Sequence, residues 1–99
     1  MIRDEIASRL EGFIRAHFSI AARDSGFTRS SALFELGYID SVGAVELLAF
    51  IGREFGVEIT DADLLSGDFT TIDGIASIVH GLRERANETT RPHSPPLPA

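Results

Sequence analysis

The stretch that decides the fold is DSVGAVELLAFIGREFG, residues 40–56. Asp40 is a good N-cap, because its carboxylate can accept a hydrogen bond from a free first-turn N–H. Gly56 suits the other end, because glycine adopts the left-handed backbone conformation without steric cost. Between them, at about 100° per residue, Ala44, Leu47, Leu48, Ile51 and Phe55 gather on one side. The pattern predicts an amphipathic helix over residues 41–55.

The opposite side of this predicted helix is unusual for a solvent-facing surface. It carries Val42, Val45, Glu46, Ala49 and Arg53. Exposed helix faces are normally polar, yet two valines lie beside the helix start. They would give a second protein a small apolar contact surface.

The rest of the body also has helical spacing. Residues 2–18 place Ile2, Ile6, Leu10, Phe13, Ile14 and Phe18 at steps of three and four. A short helix is predicted over residues 61–65 and a longer one over about residues 72–85, each after a T-x-x-D start. The apolar stripe of the last helix is Ile72, Ile75, Val79 and Leu82. No strand pattern persists, so the fold class predicted is all-α: a small four-helix bundle with three longer helices and one short.

Two segments lack such periodicity. Residues 19–39 read as a long loop between the first two helices, pinned by Leu33, Phe34 and Leu36. Residues 87–99 hold all four prolines of the chain and few large apolar residues, so they read as a disordered Pro-rich tail. The expected organisation is one domain over residues 1–86 followed by this tail.

Composition excludes several classes of function. The chain has 99 residues, no Cys and a formal charge of −6. Disulfides and thiolate metal sites are therefore excluded, and an acidic chain is unsuited to nucleic acid. We find no secretory signal and no apolar run of the ~20 residues that a membrane span needs. A cytoplasmic, monomeric protein is expected.

The excess negative charge is concentrated in the middle third of the chain. Residues 35–68 contain eight acids and one base, Arg53, for a net charge of −7. Such a region is either an ordinary solvated surface or a docking face for a basic partner.

Conventional catalytic patterns are lacking. The three His residues have no metal-ligand spacing, and Asp61 and Asp63 do not continue into a calcium-binding loop. No metal site and no catalytic residue are expected. A small serine hydrolase stays as a minor alternative, although a short helical chain offers little framework for an oxyanion hole.

Ser41 stands out because it begins the strongest helix, directly after Asp40. A serine there is commonly only a cap or first-turn residue. A phosphodiester on its hydroxyl, however, would lie against free backbone N–H groups and the positive end of the helix dipole. That interaction is worth roughly 0.3–1 kcal/mol at an exposed site.

Around this serine the chain resembles the phosphopantetheine-dependent carrier proteins. The attachment motif of that family is similar to LFELGYIDSV, residues 33–42, with a glycine shortly before the Asp-Ser pair. The resemblance continues through VELL, residues 45–48, and REFGVEI, residues 53–59. It then extends through Asp61, Asp63, Phe69, Ile72, Ile75 and Ala76, and it covers about residues 2–86.

The resemblance implies a non-catalytic carrier. A phosphopantetheinyl transferase would attach 4′-phosphopantetheine to Ser41, with Asp40 helping to position the reaction. The terminal thiol of the arm would hold an acyl or aminoacyl group as a thioester. Val42, Val45, Glu46 and Ala49 would form the face that partner enzymes recognise. The expected partners are the transferase, an adenylating ligase, and a downstream transferase or condensing enzyme.

Departures from the pattern bear on the cargo. Carriers of fatty-acid synthesis usually have acids where Gly43 and Arg53 stand, and often a larger apolar residue where Ala49 stands. The segment FELGYIDS, residues 34–41, is more similar to stand-alone D-alanyl and aminoacyl carriers. The alternatives are a fatty-acid or polyketide carrier and, from a different class, an unmodified acidic helical interaction module.

Overall fold

A computed structural model describes residues 2–18, 20 and 26–89, with side chains as far as residue 86. Four α-helices follow in order: α1 (Arg3–His17), α2 (Ser41–Phe55), α3 (Asp61–Leu65) and α4 (Ile72–Thr89). A 3-10 turn at Asp68–Thr70 separates α3 from α4. The described part of the chain contains no strand, so the predicted all-α four-helix fold is confirmed.

The helix ends follow from local chemistry. Asp40 caps α2, and Gly56 ends it with φ of 67°, which is a left-handed conformation. At α3, Thr60 and Asp63 form a reciprocal capping box, each side chain bonding the other residue's backbone N–H. The cap of α4 is Thr71, whose Oγ1 accepts the Gly74 N–H at 2.9 Å, rather than the Thr70 that the T-x-x-D pattern indicated.

The last helix is longer than predicted. It continues to Thr89, four residues past the expected end at Arg85. The reason is that no proline occurs before Pro92, and Asn87 and Glu88 do not by themselves stop a helix. The first three residues of the predicted tail are therefore helical, and residues 90–99 lie outside the described residues.

The hydrophobic core lies between the apolar faces of the helices and the loop that joins α1 to α2. Each long helix contributes fully buried apolar side chains, and the loop adds Phe27, Leu33 and Ile39. The largest buried side chains of the helices are Ile6, Leu10, Ile14, Leu47, Ile51, Phe55, Ile72, Ile75 and Val79. Two predictions were wrong here: Ile2 is 67% exposed because it precedes the first turn of α1, and Leu36 is 61% exposed.

Leu33, and not Leu36, holds the loop in place. Its N–H donates to Thr70 O at 2.8 Å, and its carbonyl accepts the Ile39 N–H at 3.1 Å. After Leu36 the chain turns at Gly37, whose φ of 81° favours glycine. This turn sends Leu36 outward and brings Asp40 to the start of α2.

Arg29 ties the same loop to α1. Its guanidinium donates to Asp4 at 2.7 Å, to Ser8 at 2.8 Å and to Glu11 at 3.1 Å. Its backbone carbonyl accepts the Asp73 N–H at 3.0 Å, at the start of α4. The loop is thus fastened to both neighbouring helices before it reaches α2.

Candidate functional site

Ser41 is the first residue of α2, and its side chain is exposed. Directly before it, Asp40 Oδ1 accepts the Gly43 N–H at 2.8 Å, as predicted for an N-cap. The first turn of this 15-residue helix contains no acidic side chain. The Asp40 carboxylate already uses the Gly43 N–H, and the positive end of the helix dipole lies beside the Ser41 hydroxyl.

An open depression of about 460 Å³ borders Ser41. It is lined by Phe34 and Ile39 from the loop, and by Asp40, Ser41 and Ala44 at the start of α2. Its walls are mainly apolar, and Asp40 and Ser41 are the polar residues among them. A flexible group on Ser41 would find space here without displacing a core side chain.

Gly43 allows the segment after α1 to close against the first turn of α2. A Cβ at Gly43 would lie 2.5 Å from Cε1 of Phe18 and 3.1 Å from Cγ2 of Ile39. Both distances are shorter than ordinary van der Waals contacts, so the Phe18 ring occupies the space a side chain would take. An acidic side chain at this position would require that ring to move.

The exposed side of α2 carries the predicted recognition residues. Val42 is 68% exposed and Val45 66% exposed, and Ala49 is also at the surface. Glu46 is exposed too, but it is paired with His17 from the last turn of α1. The structure therefore places these four residues on one open face next to Ser41.

His17 was missed as a contributor to this face. It lies 29 residues before Glu46 in the chain, and no local spacing connects the two. The only sequence signal is that His17 follows Phe13 by one helical turn. Of the other histidines, His80 lies 3.6 Å from Glu84, and His93 lies outside the described residues.

Two further acidic side chains have partners within the protein. Arg9 of α1 donates to Glu54 at 2.7 Å, and Asp63 belongs to the capping box of α3. No cluster of three or more potential metal ligands occurs within residues 2–18, 20 and 26–89. Over the same residues, no helix is both long enough and apolar enough to cross a membrane.

Comparison with known families matches the region that contains Ser41. A family model described as "Phosphopantetheine attachment site" matches residues 18–79, more than half of the chain. The chain belongs to this phosphopantetheine-binding family. Its members are non-catalytic carriers that bear 4′-phosphopantetheine covalently on a serine. A search of curated proteins found no match.

The residues of this carrier domain fit such an arm. An exposed serine hydroxyl at a capped helix start can accept a phosphodiester, and the adjacent N–H groups favour its negative charge. Phe34, Ile39 and Ala44 would offer apolar surface to an arm on Ser41. When bound, the arm would supply a terminal thiol.

Proposed function

We propose that Ser41 is the residue that carries the arm. The observation that supports this most strongly is its position: an exposed hydroxyl at the start of α2, directly after the cap Asp40. This position falls inside the matched region, residues 18–79. Ser31 is less suitable, since it is 8% exposed and its hydroxyl is engaged within the loop.

The chain then acts as a stand-alone carrier in a specialised pathway. It receives an acyl or aminoacyl group as a thioester from an adenylating ligase and presents it to a downstream transferase or condensing enzyme. Tethering raises the effective concentration of the cargo at each enzyme. The FELGYIDS wording at residues 34–41, together with Gly43 and Arg53, supports an aminoacyl or small acyl cargo.

Partner enzymes recognise the exposed side of α2. Val42, Val45 and Ala49 supply apolar contact, and Glu46 supplies a carboxylate for a basic group. We refer to Val42, Val45, Glu46 and Ala49 as the recognition face. Its position beside Ser41 would let one enzyme dock and reach the arm at the same time.

The intact mass of the protein distinguishes this proposal from an unmodified interaction module. Apo-protein is incubated with coenzyme A, magnesium and a broad-specificity phosphopantetheinyl transferase. The wild type should gain one phosphopantetheine group, and Ser41→Ala should gain none. Unchanged mass in the wild type would favour the interaction module.

The cargo class needs a second assay on the loaded protein. Holo-protein is offered to an amino-acid-activating ligase and, separately, to a fatty-acid-activating ligase, each with ATP and its substrate. Thioester formation with the amino acid supports the aminoacyl proposal. Thioester formation with the fatty acid alone would favour the fatty-acid or polyketide alternative.

A further inference from the structure

The recognition face includes a contact from another helix. His17, in the last turn of α1, uses its Nε2 to hydrogen-bond Oε2 of Glu46. The two side chains remain 40% and 44% exposed. The contact is therefore at the surface, where an approaching enzyme would meet both groups.

Aromatic packing fixes the His17 ring. Phe13 stacks on it with ring centroids 4.9 Å apart and planes 15° apart, and Phe18 meets it edge-on at 5.0 Å. Phe13 in turn stacks on Phe50 of α2 at 4.0 Å. The imidazole is therefore held between α1 and α2 instead of moving freely in solvent.

The hydrogen bond leaves Glu46 able to act as an acceptor. An ionised carboxylate has about four acceptor positions on two oxygens, and His17 occupies one of them. The main effect of His17 is therefore to order the side chain, not to consume its binding capacity. A glutamate already ordered before docking avoids a conformational cost of roughly 0.5–1.5 kcal/mol.

We propose that His17 is a positioning residue for partner recognition. It holds the Glu46 carboxylate in the orientation in which a cationic side chain of the phosphopantetheinyl transferase meets it. This inference rests on the proposed function, because it requires the recognition face of α2 to be the docking surface. A contact that only joined α1 to α2 would affect stability but not the affinity of that enzyme.

The test is steady-state kinetics of arm transfer from coenzyme A to apo-protein, at constant pH and ionic strength. His17→Ala should raise the KM for the apo-protein roughly two- to tenfold, the range expected from the ordering cost. The kcat should stay unchanged, because Ser41 and its cap are untouched. His17→Gln keeps a side-chain N–H donor, so its KM should stay close to that of the wild type.

A double-mutant cycle tests whether His17 acts through Glu46. In a Glu46→Ala background, His17→Ala should have no further effect on KM. His80→Ala is the matched control, since His80 lies 3.6 Å from Glu84 on α4, and it should leave KM unchanged. Thermal unfolding of every variant confirms that the assay is run on folded protein.

Three results would overturn the inference. If Glu46→Ala raises KM but His17→Ala does not, Glu46 acts without positioning, and the proposed function stands. If His17→Ala raises KM equally with and without Glu46, His17 acts by another route. If the wild type is not loaded at all, the proposed function fails and this inference fails with it.

Discussion

Asp40 connects the stability of α2 to the placement of Ser41. Its carboxylate bonds the Gly43 N–H at 2.8 Å, and its backbone carbonyl accepts the Ala44 N–H at 2.8 Å. These two bonds fix the first turn from which the Ser41 hydroxyl projects. The residue before the serine therefore has a structural role that precedes any role in the transferase reaction.

Removing the cap should cost stability without changing the fold. Asp40→Ala should lower the free energy of unfolding by about 1 kcal/mol, the usual cost of losing an N-cap. Asp40→Asn keeps a side-chain oxygen acceptor, so it should retain most of that stability. Urea unfolding of the three proteins measures the difference, and equal stability of Asp40→Ala and wild type would show that the cap contributes nothing.

At the scale of elements, α4 approaches the 3-10 turn closely at Gly74. A Cβ on Gly74 would lie 1.9 Å from the carbonyl oxygen of Asp68, and backbone cannot move aside as a flexible side chain can. Gly81, in the same helix, has nothing within 4 Å of its Cβ position. Only the first glycine is required by packing.

The two glycines should respond to alanine with opposite signs. Gly74→Ala should destabilise the protein by about 1–3 kcal/mol, because overpacking outweighs the better helix propensity of alanine. Gly81→Ala should stabilise it by roughly 0.5–1 kcal/mol. Denaturant unfolding of both variants checks this, and a gain in stability from Gly74→Ala would mean that α4 does not pack this tightly.

The attachment of the loop to α1 should depend on pH through Glu11. Hydrogen bonds from Arg15 at 3.0 Å and from Arg29 at 3.1 Å hold the pKa of Glu11 below its ordinary value of 4.5. A lowered folded-state pKa contributes stability above the unfolded pKa, and this is lost as pH falls through the folded value. The effect therefore belongs to the acidic range, below about pH 4.5.

Glu11→Gln should be less stable than wild type by up to about 1 kcal/mol near neutral pH, as expected for a partly exposed ion pair. The difference should shrink as the pH is lowered below 4.5, where the wild-type carboxyl also becomes neutral. Glu5→Gln is the control, because Glu5 has only an exposed contact with Arg9 at 3.4 Å. A difference that stays constant down to about pH 3 would rule out this linkage.

The elements that could be predicted from the sequence are those with strong local signals at their ends. Asp40 and Gly56 gave the bounds of α2, and the Thr60–Asp63 box gave the start of α3. The three-residue turn before α4 was not predicted, because so short an element has no periodicity. The extension of α4 to Thr89 was not predicted either, because a polar segment without proline can either continue a helix or follow its end.

The candidate site was predictable only as far as it lies on one helix. Asp40, Ser41 and the recognition face follow from the spacing within α2. The contact that comes from another helix could not be predicted in this way: His17 of α1 reaches Glu46. Such pairings depend on how the helices and the loop pack, which one sequence does not specify.

At the scale of the whole molecule, the negative charge is concentrated in the middle of the sequence, and we propose that it attracts a basic partner. The net charge of −7 over residues 35–68 includes Glu46 and Glu54, which meet bases from α1. The acids of the connections and α3 add to the charge of the same region: Glu35, Glu58, Asp61, Asp63 and Asp68. Association with the transferase should therefore weaken as salt screens this field, whose range is about 8 Å at physiological ionic strength.

Glu46→Lys should slow arm transfer more than it affects stability, because an exposed helix position usually changes stability by only about ±0.5 kcal/mol. Val42→Asp should also slow transfer, by removing apolar contact beside Ser41. Glu84→Lys is the control, because Glu84 lies far from Ser41. Its neighbour Arg83 donates to Phe55 O at 2.8 Å, and Phe55 is at the end of α2 opposite Ser41. Equal slowing by Glu46→Lys and Glu84→Lys would mean that net charge alone matters.

The most direct test of the central claim is to locate the arm on the chain. Tryptic digestion of loaded wild-type protein should release residues 30–53, a peptide that contains Ser30, Ser31 and Ser41. Fragmentation of this peptide by tandem mass spectrometry should place the whole added mass on Ser41. Added mass on Ser30 or Ser31, or on the peptide that contains Ser66, would contradict the assignment of the start of α2 as the attachment site.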